Sequence, residues 1–150
     1  MTTTDDVISA LQEQVGCYQR LAKLSELQHE HVQHSQTDEL LEVLGRRQQV
    51  LNQVAQIEHT IAPIKRRWTD YTSSWSGELR AKADGLLSET RRLLAEITDS
   101  DRNDAMALQQ KKLDLGHQIQ QTTQARKRHR TYAAAGAYGI RKAPSVDLKQ

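Results

Sequence analysis

The chain has 150 residues, of which 37% are hydrophobic and 27% are charged. This length suits one domain, and the composition excludes both a bulky globular core and full disorder, because the apolar residues are few but regularly spaced. The net charge of +2 conceals an asymmetry: residues 1–75 carry 7 basic and 10 acidic side chains (−3), whereas residues 76–150 carry 14 and 9 (+5). A basic second half is typical of proteins that contact nucleic acid, a membrane surface or an acidic partner.

Sequence signals for covalent cross-links and targeting are few. Cys17 is the only cysteine, so no intrachain disulfide can form. The N-terminus is polar and acidic and lacks the basic start and apolar core of a signal peptide, and no apolar run approaches the ~20 residues of a membrane span. We therefore expect a cytoplasmic protein that does not insert into a membrane.

The first predicted helix begins near Thr4 or Asp5, either of which can cap it, and ends near His34. A polar break then covers residues 35–38, in which Ser35 or Thr37 can cap the next helix. Apolar residues recur through the first helix at helical spacing: Val7, Ile8, Leu11, Val15, Tyr18, Leu21, Ala22, Leu24 and Leu27.

The second helix has the clearest pattern in the chain, a heptad seam typical of coiled-coil packing. Leu40 and Val43 extend this seam towards the N-terminus. Pro63 lies inside it and predicts a kink rather than an end, since the seam keeps its phase on both sides. The seam comprises Val50, Val54, Ile57, Ile61, Ile64, Trp68, Tyr71 and Trp75.

Serines and a glycine at residues 73–77 indicate either a loosened turn or a new cap, so the next segment is read as a continuation of the second helix or as a separate helix. Residues 99–103 are rich in cap-forming side chains and predict a stronger break. A last, glutamine-rich helix follows. Its apolar seam is sparse, and it ends near Arg126. The apolar pattern of the middle segment comprises Leu79, Ala83, Leu86, Leu93 or Leu94, and Ile97.

From Ala133 onward, Gly136, Gly139 and Pro144 argue against a stable helix. The predicted organisation is a helical bundle domain over residues 1–132 and a flexible tail over residues 133–150. The predicted fold class is all-α, an elongated antiparallel bundle or coiled coil of about three long helices with a flexible C-terminal tail.

Catalytic and metal sites are not indicated. Among His29, His31 and His34 only the last two share a helix face, and no Cys or Asp cluster completes a metal site. Glycine-rich phosphate loops and Ser or Cys nucleophile signatures are missing from the sequence. We therefore predict no catalytic residue, no metal and no cofactor, and a protein that is not an enzyme.

Two features leave a choice between packing and binding. The aromatic residues at the end of the second helix could stack on bases, but their phase matches the aliphatic seam and favours core packing. The basic run from Arg126 to Arg130 could contact nucleic acid, although basic residues also suit the C-terminal end of a helix. Packing and helix-end charge are the favoured interpretations, and nucleic acid is not an expected partner.

The layout resembles the FlgN-type flagellar export chaperones, small helical proteins with a first helix of this length, a short polar break, a long second helix and a third helix with a tail. The resemblance is carried by residues 21–29 (LAKLSELQH), by residues 38–48 (DELLEVLGRRQ), by residues 50–63 and by the Tyr138-Gly139 pair. The tryptophans of the second helix and the basic run lie outside it.

The resemblance implies a chaperone that binds hook-associated junction proteins in the cytosol and delivers them to the export-gate membrane protein. It implies that Tyr138 and Gly139 bind the cytosolic domain of that gate protein. The thin apolar face of the last helix, comprising Leu108, Leu115 and Ile119, is the expected cargo groove. The alternatives are a structural coiled-coil adaptor or scaffold and, more remotely, a nucleic-acid-associated helical protein, and homo-oligomerisation is left open.

Overall fold

The computed structural model describes residues 3–141, with side chains as far as Ala134. Four helices occupy almost all of this range: α1 (Thr4–Gln33), α2 (Thr37–Arg66), α3 (Trp68–Thr72) and α4 (Gly77–Arg141). No strand occurs within residues 3–141, and the long helices pack together, so the all-α prediction is confirmed. The chain divides into two compact units, unit 1 (Met1–Ala107) and unit 2 (Leu108–Gln150). Within residues 3–141, no helix contains an apolar stretch of the length that spanning a bilayer requires.

The start of α1 is closed by a capping box. The hydroxyl of Thr3 accepts a hydrogen bond from the Asp6 N–H (3.2 Å), and the Asp6 carboxylate accepts one from the Thr3 N–H (2.9 Å). The hydrogen bonds from the backbone and side chain of Thr3 lower the pKa of Asp6 below its ordinary value. The cap thus lies one residue before the predicted Thr4, where it satisfies backbone donors that the helix itself cannot.

A short turn reverses the chain between α1 and α2. Ser35 has a φ of 55°, in the left-handed region, and the cap position of α2 falls on Gln36 rather than on Ser35 or Thr37. Cross-helix hydrogen bonds join Gln14 to Glu58 (2.8 Å) and Arg20 to Gln53 (3.0 Å). Because residue numbers rise along α1 as they fall along α2, the two helices are antiparallel.

The core of unit 1 is built from the predicted seams. Ile57, Ile61 and Ile64 are buried, and α2 continues past Pro63 to Arg66. Tyr71, however, is 39% exposed, so its predicted place in the seam is wrong. The remaining buried members of this core cluster are Val7, Ile8, Leu11 and Cys17 from α1 and Ala83 from α4.

The phase of the seam is lost at Arg67, where the backbone leaves the helical region (φ −115°, ψ 35°). The five-residue helix α3 follows, and Thr72 is buried there instead of Tyr71. Ser76 then caps α4 by accepting the Leu79 N–H (3.1 Å). Of the two readings left open by the sequence, a new cap is therefore correct, and α2 and α4 are separate helices.

The predicted break at residues 99–103 is wrong, because α4 runs through it without interruption. Cap-forming side chains break a helix when they bond to nearby backbone. Here the Asp101 carboxylate accepts two short hydrogen bonds from Arg47 of α2, so it is engaged by another helix and not by nearby backbone. Tertiary contacts thus override the local preference of this segment.

The end of the last helix also differs from expectation. Residues 133–141 continue α4, whereas the sequence predicts its end near Arg126 and no stable helix from Ala133. Gly136 and Gly139 lie in this stretch, and a helix tolerates isolated glycines at a cost of about 1 kcal/mol each relative to alanine. Residues 142–150 of the predicted flexible tail lie outside the described residues.

Candidate functional site

Metal-binding clusters are not found in the described part of the chain, where no group of three or more His, Cys, Asp or Glu side chains is arranged to hold an ion. His31 instead lies 2.7 Å from Gln36 in the α1–α2 turn. Cys17 is buried in the core, and the Arg20 guanidinium donates to its Sγ (3.2 Å). Both residues therefore have local structural roles.

A polar network crosses the three long helices of unit 1 near the α1–α2 turn. Arg47 from α2 is its centre, with a side chain only 12% exposed. Its guanidinium donates two short hydrogen bonds to the Asp101 carboxylate (2.6 and 2.7 Å) and one to the Gln28 side-chain oxygen (2.6 Å). This fork-to-fork geometry is the strong form of an Arg–carboxylate pair.

The second carboxylate of the network is almost completely buried. Asp104 is 1% exposed, and it accepts a hydrogen bond from the Gln28 amide nitrogen (2.9 Å). His29 Nδ1 lies 2.8 Å from the other Asp104 oxygen, so the ring tautomer protonated at Nδ1 donates to it. Gln28 therefore bridges Arg47 and Asp104, using its oxygen for one and its nitrogen for the other.

The network has no open position for a reacting group. Each charged member is engaged by a protein partner, and the arrangement contains neither a nucleophile with an adjacent base nor an oxyanion-binding pair of N–H groups. Its physical effect is to align α1, α2 and α4, since a shift along any helix would leave buried charges unpaired. Sequence reasoning assigned Asp101 to a break and missed this network, because the two carboxylates, Asp101 and Asp104, have their partners 54 or more residues away on other helices and leave no local signal.

The predicted cargo residues lie in unit 2 and are exposed. The exposed fractions are 43% for Leu108, 57% for Leu115 and 58% for Ile119. Every described side chain of this unit is exposed apart from that of Lys111, which is half-buried. A shallow depression runs along the helix here, and it is lined by Leu115, Gln118, Ile119, Thr122, Thr123 and Arg126.

The spacing of the buried positions of α4 continues into unit 2. In unit 1, steps of three, four and seven connect the positions that point inwards. The same steps lead from Asp104 to Leu108, then by seven to Leu115 and by four to Ile119. The helix therefore repeats a packing seam over a stretch in which its side chains are exposed. The inward positions in unit 1 include Leu79, Ala83, Leu86, Leu93, Ile97 and Asp104.

A second set of exposed apolar side chains was not identified from the sequence. Leu41, Leu44 and Leu51 of α2 are 62%, 43% and 40% exposed and lie at steps of three and seven, hence on one helix face. Their exposure is similar to that of the unit 2 residues, although their position differs. They supply matched controls for any test of the α4 face.

Two further predicted features have different outcomes. Trp68 and Trp75 meet edge to face, with ring centroids 5.6 Å apart, and both pack against the core, which supports packing over base stacking. The backbone of Tyr138 and Gly139 belongs to α4, but their side-chain environment lies outside the described residues. Their predicted role in gate binding remains a prediction.

Comparisons with protein-family models, with curated proteins and with solved structures find no match to this chain.

Proposed function

We propose that the chain is a cytoplasmic flagellar export chaperone that binds hook-associated junction proteins and delivers them to the export gate. The observation that supports this most directly is the exposed apolar face of α4 in unit 2, formed by Leu108, Leu115 and Ile119. Apolar side chains at helical spacing are the anchors that a groove or a helix uses to capture an amphipathic partner helix.

Unit 1 suits the role of a scaffold in this proposal. It has its own cluster of buried apolar residues, and its polar network links three helices. The exposed seam in unit 2 is short, so few apolar groups are covered when a partner binds. Such an interface binds moderately and permits release, since a cargo segment that folds on binding loses conformational entropy.

The cargo prediction concerns Leu115 and Ile119. Leu115→Glu or Ile119→Glu is expected to weaken binding of the C-terminal segment of a hook-associated junction protein by about tenfold or more, because each removes an apolar anchor worth about 1.5–3 kcal/mol when buried. Since both positions are exposed, the free energy of unfolding should change by less than about 0.5 kcal/mol. Isothermal titration calorimetry and thermal melts measure the two effects.

Leu41→Glu on α2 is the matched control, since Leu41 is 62% exposed and Ile119 is 58% exposed. This control should bind the segment as the unmodified chain does. Loss of binding in Leu41→Glu, with the α4 variants unaffected, would move the cargo site to α2. Failure of the unmodified chain to bind any junction-protein segment would leave the structural adaptor as the better function.

The gate prediction concerns the pair implied by the resemblance, Tyr138 and Gly139. Tyr138→Ala is expected to abolish binding to the cytosolic domain of the export-gate protein, because an aromatic anchor at an interface commonly supplies 2 kcal/mol or more, a change of roughly 30-fold or greater. Cargo affinity and melting temperature should stay unchanged. Tyr132→Ala is the control, and unaltered gate binding by Tyr138→Ala would show that this tyrosine is not the anchor.

A further inference from the structure

Cations lie beside the apolar residues on the same face of α4. At about 100° per residue, Ile119 and Arg126 lie about 40° and 20° from Leu115 around the helix axis, while Lys112 and Arg130 lie about 60° from it. All five side chains are exposed. The face therefore carries an apolar pair with one cation on its N-terminal side and two on its C-terminal side.

The distances along the helix define a pattern that a partner could match. Lys112 and Arg126 are separated by 14 residues, which corresponds to about 21 Å at 1.5 Å per residue. Arg126 and Arg130 are one turn apart, and both line a second shallow depression together with Thr122, Ala125 and His129. Two basic points about four turns apart thus bracket Leu115 and Ile119.

The charge of this helix argues against a second copy as the occupant. Residues 108–134 contain six basic residues and one acidic residue, Asp114, which already accepts a hydrogen bond from Gln110 (3.0 Å). If two copies of this helix paired in parallel, Arg126 of one copy would lie beside Arg126 of the other. If they paired antiparallel, with Leu115 and Ile119 at the centre, the cations of each copy would meet no carboxylate of the other. Like charges held together oppose association.

We propose that the segment covering this face is an amphipathic helix whose apolar stripe is flanked by acidic residues about four turns apart. This inference rests on the proposed function, and it specifies the chemistry of the cargo segment. The apolar stripe covers Leu115 and Ile119, while the carboxylates meet Lys112 at one end and Arg126 with Arg130 at the other.

Nucleic acid fits this face less well. A phosphate backbone needs cations but gains nothing from an apolar pair placed between them, and single strands usually stack on aromatic rings. Tyr132 is exposed, but it lies about 100° around the helix from Leu115. A protein helix uses every group on the face, whereas a nucleic acid leaves Leu115 and Ile119 facing water.

The test uses the full chain and two synthetic helical peptides with the same apolar stripe, one flanked by Glu and one by Lys. The Glu-flanked peptide is expected to bind, with an affinity that falls as salt rises, and the Lys-flanked peptide is not. The double variant Arg126→Glu/Arg130→Glu should lose about tenfold in affinity for the Glu-flanked peptide and should bind the Lys-flanked one. A gain of binding by the variant cannot result from unfolding.

The matched control is Lys127→Glu/Arg128→Glu, which makes the same change in net charge on other faces of the same helix turn. It should alter the affinity for the Glu-flanked peptide by no more than about threefold. An equal loss in the control would show a non-specific charge effect and overturn the proposal. A third outcome would assign the face to nucleic acid. In it, the unmodified chain binds neither peptide but binds a DNA oligonucleotide, and the double variant does not bind that oligonucleotide.

Failure of this inference is distinguishable from failure of the proposed function. If a junction-protein segment binds but affinity is unchanged in Arg126→Glu/Arg130→Glu, the function stands and the acidic-flank pattern is wrong. In the opposite case, the unmodified chain prefers the Glu-flanked peptide, the double variant prefers the Lys-flanked one, and no junction-protein segment binds. The acidic-flank pattern is then correct and the chaperone role is wrong.

Discussion

Ile61→Asp is expected to unfold unit 1 at ambient temperature. Ile61 is 1% exposed at the centre of the core cluster, with Ile57 and Ile64 beside it on α2. The aspartate would be buried without a partner, which costs several kcal/mol in addition to the lost apolar burial. Since small domains are stable by only about 5–15 kcal/mol, this one change removes most or all of the free energy of unfolding.

Circular dichroism during thermal melting measures this effect, with loss of the cooperative transition as the expected result. Leu51→Asp is the control, because Leu51 is on the same helix but 40% exposed, and it should keep a cooperative melt. Ile61→Val should remain folded and lose about 0.5–1.5 kcal/mol. A cooperative melt in Ile61→Asp close to that of the unmodified chain would show that this seam does not face the core.

Arg47→Met is expected to lower the free energy of unfolding by about 2–4 kcal/mol, because it leaves the Asp101 carboxylate and the Gln28 oxygen without their donor. The side chain of Asp101 is 36% exposed and can regain some hydration, which places the cost at the lower end for a broken buried pair. Denaturant unfolding measures the change. Arg46→Met is the matched control: Arg46 pairs with Glu42 on the surface, and its loss should cost less than about 1 kcal/mol.

A double-mutant cycle separates the interaction energy between Arg47 and Asp101 from the other effects of replacing each residue. Arg47→Met combined with Asp101→Met should be less destabilised than the sum of the single variants, with a coupling energy of about 1–3 kcal/mol. The reason is that an apolar pair leaves no unpaired charge behind. Additive effects within about 0.5 kcal/mol would show that the two residues act independently and that the network does not align the helices.

The helices themselves follow from periodicity in the sequence. The apolar steps from Val7 to Leu21 and from Val50 to Ile64 predict helices with those faces inward, and Val7, Leu21, Ile57 and Ile61 are buried as predicted. Leaving a stripe of apolar side chains in water is unfavourable, and packing that stripe against another helix removes it from water. The position of the stripe in the sequence therefore indicates which face of each helix is inward. The exposed α4 face with Leu115 and Ile119 also follows from the sequence, since its apolar side chains are too sparse to bury much.

The tertiary structure decided how these helices align and where α4 runs, whereas the bounds of α1 and the start of α2 agree with the sequence prediction to within one residue. Residues 99–103 carry cap-forming side chains, yet α4 continues through them because Asp101 meets Arg47 and Asp104 meets Gln28 and His29. Tyr71 lies outside the core because the backbone at Arg67 leaves the helical region and shifts the phase. Local sequence specifies the preference of each segment, but pairings between residues more than 50 positions apart form only when the helices pack. A charged pair with two short hydrogen bonds, such as Arg47 with Asp101, then engages a side chain that could otherwise have capped a helix end.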